Sequence, residues 1–384
     1  MGIAKKINLN NIFVFLFFIL FPFGQIIRFG KVHPLDVIAG AAALAAVFGR
    51  FKKPEIFRYF DNFLLLAFAS WFFSLFIFKS SIVLYGTLYL LRLFAYFYFF
   101  IYVWNFARQK ENKRLLLDSL LIVSLVSAFF GWIQFFWIPD IKPFFAWGWD
   151  EHLFRLVGTF LDPTFLGIII VFGLIITIYR YIVIKEKGHF FTTLFLLISL
   201  MFTYSRASYL AFIAEIIFLG IHLKKTKVVV FVILGIILAA LMLPTTRNHS
   251  ISLFRQFSAI ARVENYKETI KIFRTSPIFG VGYNNLCLAR NKFIGIASFD
   301  SHACSGSDAS LLTVLATTGV LGLFVFLGMV YKLWRDGDLL LKSSLIALAV
   351  HSLFANSIFY SWVMGWLAIL LAVSIQKSQK NSTI

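Results

Sequence analysis

Apolar runs long enough to cross a bilayer recur along almost the whole of this chain, and charge is confined to the stretches between them. About 20 apolar residues in a helix span the hydrocarbon of a membrane. In lipid every backbone polar group needs a partner inside the protein, so a chain patterned this way folds as a bundle of helices. On that ruler roughly twelve spans are expected, at 11–27, 34–49, 62–78, 82–104, 115–138, 163–184, 189–204, 206–222, 228–243, 308–331, 343–357 and 358–375, the last two parted by a tight turn. Charged residues make up 14% of the chain against about a quarter in soluble domains. The expected class is therefore an all-α polytopic membrane protein, one integral membrane domain over 1–384. Lys5 and Lys6 ahead of Ile12–Leu20 resemble a signal peptide, but no small-residue cleavage site follows, so this run is read as an uncleaved first span.

Lysine and arginine set the orientation. Alternate loops carry Lys52, Lys53 and Arg58; Arg108, Lys110, Lys113 and Arg114; Arg180, Lys185 and Lys187; Lys224, Lys225 and Lys227; Lys332, Arg335 and Lys342. The loops between them carry few. This asymmetry accounts for the net charge of +19 without nucleic acid, and it places both termini in the cytoplasm and the long loop 244–307 outside. Within that loop Ile260, Val263, Tyr266, Ile270 and Phe273 recur at helical spacing among charged residues, which predicts an amphipathic helix on the membrane surface. Pro277 closes it, and Gly280-Val281-Gly282 permits a sharp turn. Those glycines lack the strand–helix context of a dinucleotide fingerprint. Cys287 and Cys304, the chain's two cysteines, share this outer loop and are either bridged or free.

The same orientation gathers polar residues on the outer side: Arg155 and Gly158 with Asp162-Pro163, Ser205-Arg206 at a turn between spans, and Arg262, His302 and Asp308 in the large loop. Arginine here runs against the positive-inside bias. These guanidinium groups either bind phosphate oxygens in two-pronged fashion or anchor helix ends by snorkelling. Arg92, mid-span, is costly in lipid and is expected to be functional or to pair with Glu215. His302 and Asp308 are both candidate general bases, and Asp308 is also placed to cap the next span. A carboxylate among arginines is expected to have a lowered pKa, which favours His302 as proton acceptor. His351 reads as a packed polar residue.

These residues resemble the O-antigen ligase and polymerase (Wzy/WaaL-like) family of membrane proteins over about residues 150–335. The matching pieces are Arg155-x-x-Gly158-x-Phe160 with Asp162-Pro163, Ser205-Arg206, Arg262 ahead of Pro277-x-x-Gly280-x-Gly282, and Asp308-x-x-x-Leu312 followed by Ala316-Thr-Thr-Gly319-Val-Leu-Gly322. The resemblance implies a GT-C-like fold and a glycosyltransferase of the bacterial cytoplasmic membrane, with its site on the extracytoplasmic face. The implied donor is a polyprenyl-diphosphate-linked glycan and the acceptor a hydroxyl of a glycan or lipid, in cell-surface polysaccharide synthesis. Ligases of the family commonly carry His-Asn where this chain has Asp308, so ligase and polymerase both stand. The diphosphate is already a good leaving group. A base (His302 or Asp308) and arginines that bind it (Arg155, Arg206, Arg262, Arg92) suffice without metal or cofactor. The alternative is a transporter or flippase of lipid-linked saccharides, for which two related halves are expected and none is evident.

Overall fold

The computed structural model describes residues 11–49, 51–147, 149–186, 188–225, 227, 230, 232–236, 256–295, 304 and 306–375. The described residues are built from helices, with two isolated bridges and no strand. In chain order the helices are α1 Ile12–Leu20, α2 Pro34–Phe48, α3 Phe57–Ser74, α4 Ser80–Phe106, α5 Lys110–Trp137, α6 Pro163–Tyr179, α7 Phe190–Phe202, α8 Arg206–His222, α9 Gln256–Thr275, α10 Leu286–Ile294, α11 Ser310–Asp336, α12 Leu339–His351 and α13 Ser361–Ser374. Four stretches are long and apolar enough on length and composition to cross a membrane: 86–106, 110–137, 163–184 and 310–336. Shorter apolar helices accompany them. Each stretch read as a span holds a helix except 228–243, most of which lies outside the described residues.

α6 is apolar all round, and it is buried all round, from Leu166 to Thr177. It packs among α5, α7, α8 and α12, while α13 lies against α4. Such helices have no face for water, so their fully apolar composition fixes their central place.

The two ends of the bundle are joined by different contacts. One end joins the basic loops: Lys52 exchanges hydrogen bonds with Asn105, and Arg114 lies 3.9 Å from Glu186. The other joins the starts of α2, α6, α8, α11 and α13. There Ser361 Oγ donates to Asp36 at 2.9 Å, Leu156 N to Phe202 O at 2.9 Å and Ser310 N to Ser352 O at 2.9 Å.

α11 is broken. Gly319 has φ +69 and ψ −172, a conformation that opens the helix. Pro277–Gly282 docks into the opening: Val281 N donates to Ala316 O at 3.0 Å, Gly282 N to Thr317 O at 3.1 Å, and Val320 N to Pro277 O at 2.9 Å. The proline–glycine run and the glycine-containing run around Gly319 are two halves of one backbone joint. A Cβ at Gly319 would stand 2.0 Å from Ile278 O, and one at Gly280 2.3 Å from Thr317 C.

The amphipathic helix is α9, and it has two working faces. Ile260, Val263 and Ile270 remain exposed, as a face laid on a membrane surface requires. Arg262, Asn265, Thr269 and Ile272 form the inward stripe. Thr269 and Ile272 are buried, and Ile272 joins a small core with Val281, Leu286, Ala289 and Ala316.

Candidate functional site

Arg155 is buried, and its guanidinium is engaged by the protein itself. Nε donates to Thr203 O at 3.0 Å and one Nη to Tyr204 O at 3.1 Å, while the other Nη lies 3.2 Å from His152 Nδ1. Gln134 Oε1 accepts from Val157 N at 3.0 Å and Gly158 N at 3.1 Å. Asp162 caps α6 by accepting from Thr164 N at 2.6 Å and Phe165 N at 3.2 Å. The Arg155-x-x-Gly158 stretch thus clamps the α7–α8 turn in place. Arg155 shapes the site through Thr203 and Tyr204.

That turn presents Arg206. Ser205 caps α8 by accepting from Ser208 N, so Arg206 is the helix's first residue. Its side chain is half-buried and makes no ion pair among the described residues. The Arg262 charge lies close enough to act on it. A helix N-terminus with a guanidinium on its first residue offers aligned N–H donors and a fixed positive charge, the two things an oxyanion needs.

Arg262 arrives on α9, and a loop that sequence reasoning passed over holds it. α12 ends at His351 and α13 begins at Ser361, so 352–360 is a loop rather than the tight turn expected there. Its carbonyls organise the site. Phe354 O accepts from Arg262 Nε at 3.1 Å, Leu353 O from the Tyr266 hydroxyl, and Ser352 O from Ser310 N. His351, fully buried, bridges Ser208 Oγ at 3.3 Å and Ser357 Oγ at 2.6 Å. It ties this loop to the first turn of α8, consistent with a packed polar residue. The available signal was a polar string, His351-Ser352 and Asn356-Ser357, interrupting an apolar run.

Asp308 lies against α9, within reach of the Arg262 and Arg290 charges. Its N–H and the Ser307 hydroxyl both donate to Asn265 Oδ1, at 3.0 and 2.9 Å. The cap expectation is corrected: Ala309 occupies the N-cap position of α11, and no side chain caps it. The electrostatic expectation is corrected as well. Burial pushes the Asp308 carboxyl above its ordinary value, and this outweighs the opposing pull of Arg262 and Arg290. His302, the other candidate base, lies outside the described residues.

Arg92 is paired with Asp36 at 2.6 Å and donates to Lys31 O at 2.7 Å, not with Glu215 as expected. Tyr96 and Ser361 also bind Asp36, so α2, α4 and α13 meet at one carboxylate. Arg92 lines a cavity of about 20 Å³ with Tyr283, Asn284, Thr313 and Asn356, room for a water. Thr313 accepts from Ser307 N at 2.9 Å, so this cavity backs onto the Asp308 segment. The Glu215 carboxyl is fully buried on α8, with no hydrogen-bond partner among the described residues.

Cys287 on α10 is bonded to Cys304, with Cα atoms 4.7 Å apart and a separation of 17 positions in the sequence. The bond ties α10 to Cys304, four positions before Asp308 in the sequence. Unreduced, denatured protein is expected to show no free thiol, and Cys287→Ser with Cys304→Ser to lose about 3 kcal/mol through the loosened loop. Two titratable thiols would contradict the bond. Among the described residues no group of three His, Cys, Asp or Glu side chains could hold a metal ion.

Residues 191–327 match the family model described as O-antigen ligase. This stretch runs from α7 through Arg206, Arg262, Asp308 and the Gly319 joint. No curated protein matches the chain.

Proposed function

We propose, from the match of residues 191–327 to the O-antigen ligase family model, that the Arg206–Arg262–Asp308 corner transfers a glycan between lipid-linked and acceptor substrates. The donor is a glycan on a polyprenyl diphosphate and the acceptor a hydroxyl of a second glycan or a lipid. The reaction takes place on the extracytoplasmic face of a twelve-span membrane domain. The observation that carries this reading is Arg206: a cation with no ion pair among the described residues, on the first turn of a capped helix and close to Arg262, whose charge also acts on the buried Asp308 carboxyl.

The acceptor oxygen attacks the anomeric carbon as the carbon–oxygen bond to the diphosphate breaks. The acceptor proton passes to a base, and the electron pair of the broken bond stays on the diphosphate. Arg206 and Arg262 meet the charge that grows there, which is stabilisation matched to the transition state. Asp308 orients the acceptor hydroxyl and, as a carboxylate, is able to take its proton. His302 is the second base. Burial holds the Asp308 carboxyl above the ordinary aspartate value against the pull of Arg262 and Arg290, which supports its reading as a base.

The test is purified protein with a polyprenyl-diphosphate glycan and a hydroxyl acceptor, with no nucleotide added. A new glycosidic bond is expected. Donor crossing the bilayer unchanged would mean transport instead. The pH profile identifies the base. With Asp308 as acceptor, activity rises as pH climbs through its pKa, and that limb lies above the ordinary aspartate value near 4. Asp308→Asn then loses the limb and about a hundredfold in rate. A variant that keeps both limb and rate assigns the proton to His302.

A further inference from the structure

The far end of α11, roughly 30 Å along the helix from Ser310, holds a second polar pocket. Its volume is about 540 Å³, within the range of small-molecule sites. Lys53, Glu55, Phe57, Arg58 and Asp61, from the start of α3 and the segment before it, line it with Lys332 from the last turns of α11. No part of the glycosyl-transfer site reaches it.

The lining carries both signs of charge. Lys53 lies 3.8 Å from Asp61, and Lys332, largely shielded, 2.8 Å from Asp336. Arg58 rests over the Tyr59 ring at 5.2 Å, and neither Arg58 nor Glu55 makes an ion pair among the described residues. A guanidinium and a carboxylate that attract each other without closing an ion pair therefore share the cavity with the Lys53–Asp61 pair and Lys332. A purely anionic ligand would meet Glu55 and Asp61 as repulsive neighbours. A ligand with a phosphate and an ammonium matches both.

The helices that frame the pocket also present apolar stripes. Leu65, Phe68 and Phe72 on α3 and Phe324, Leu327 and Tyr331 on α11 are exposed. Acyl chains have walls to run along beside a polar mouth. The mouth lies at the basic end of the bundle, where Lys52 and Arg114 make the contacts described above.

We propose that this pocket binds the headgroup of an aminophospholipid, a phosphodiester bearing a primary ammonium, drawn from the leaflet on the basic side. Arg58 takes the phosphate oxygens in two-pronged fashion with Lys332 beside it, and Glu55 with Asp61 takes the ammonium. A quaternary ammonium has no N–H to donate to these carboxylates, and a phosphoglycerol headgroup has no cation at all.

Native mass spectrometry of delipidated protein titrated with phosphatidylethanolamine, phosphatidylcholine or phosphatidylglycerol reads the selectivity directly. Wild type is expected to retain one phosphatidylethanolamine at least about tenfold better than either other lipid, the difference one charge-assisted hydrogen bond makes. Arg58→Gln and Glu55→Gln, alone and together, should erase that preference. A thermal midpoint in phosphatidylcholine discs equal to wild type confirms that the variants are folded. Equal retention of the three lipids by wild type overturns the proposal, as does an unchanged preference in the folded double variant. Soluble phosphoethanolamine that competes on equal terms with the lipid also overturns it, because the ligand is then a free metabolite.

Discussion

Arg206→Ala is expected to lower glycosyl transfer by about a thousandfold while leaving the protein folded and membrane-inserted. Under the proposed function the lost group is a pre-placed cation facing the charge that develops on the leaving diphosphate, and removing one such donor costs about 10²–10³ in rate. Arg206→Lys is the sharper test. Lysine keeps the charge but presents a point cation in place of a planar fork, so about a hundredfold of the loss should remain. The fall should appear in kcat more than in KM if the contact tightens in the transition state. Nothing in the packing demands arginine here. The side chain is half-buried, makes no ion pair among the described residues, and leaves Ser205 to cap the helix. Wild-type turnover in Arg206→Lys would reduce the residue to a membrane anchor.

The second large effect belongs to Gly319. Gly319→Ala is expected to destabilise the protein by about 4 kcal/mol or more and to abolish activity. A left-handed φ costs an L-residue about 1–2 kcal/mol by itself. The new Cβ would also stand 2.0 Å from Ile278 O, a backbone atom with no rotamer to escape by. The joint must then open, leaving the Pro277 and Thr317 carbonyls and the Val281 N–H without their partners. Gly328→Ala on the same helix is the control. Nothing lies within 4 Å of a Cβ there, so alanine should stabilise the helix by up to about 1 kcal/mol. Equal tolerance of both substitutions would remove the joint from the account of the fold.

The positions of the helices were legible because they depend on local composition. Hydrophobic length and lysine–arginine bias act residue by residue, and the contacts of Lys52 and Arg114 fall at the end where those biases gather them. Arg206 and Arg262 stood out in the sequence as arginines in loops expected on the side poor in basic residues, and the fold brings their charges near each other. What the sequence concealed depends on who meets whom. Arg92 finds Asp36, 56 residues away, because α2 and α4 pack together, while Glu215 lies on a helix that packs elsewhere. The 352–360 loop works through backbone carbonyls, which every residue has, so its side chains did not advertise it. Asp308 shows the limit for electrostatics. Its arginine neighbours were foreseeable, but the degree of burial that outweighs them belongs to the folded state.

The break at Gly319 also bears on how the protein is made. α11 begins only 28 residues after Gly282, and the joint pairs a carbonyl on each side with a donor on the other. An isolated α11 entering hydrocarbon in its final, broken shape would expose the Ala316 and Thr317 carbonyls to lipid, at a cost of several kcal/mol each. The helix must therefore insert unbroken and crack open later, or insert with Pro277–Gly282 already seated. On either route, the joint closes only once the earlier Pro277–Gly282 segment has seated against the newest helix.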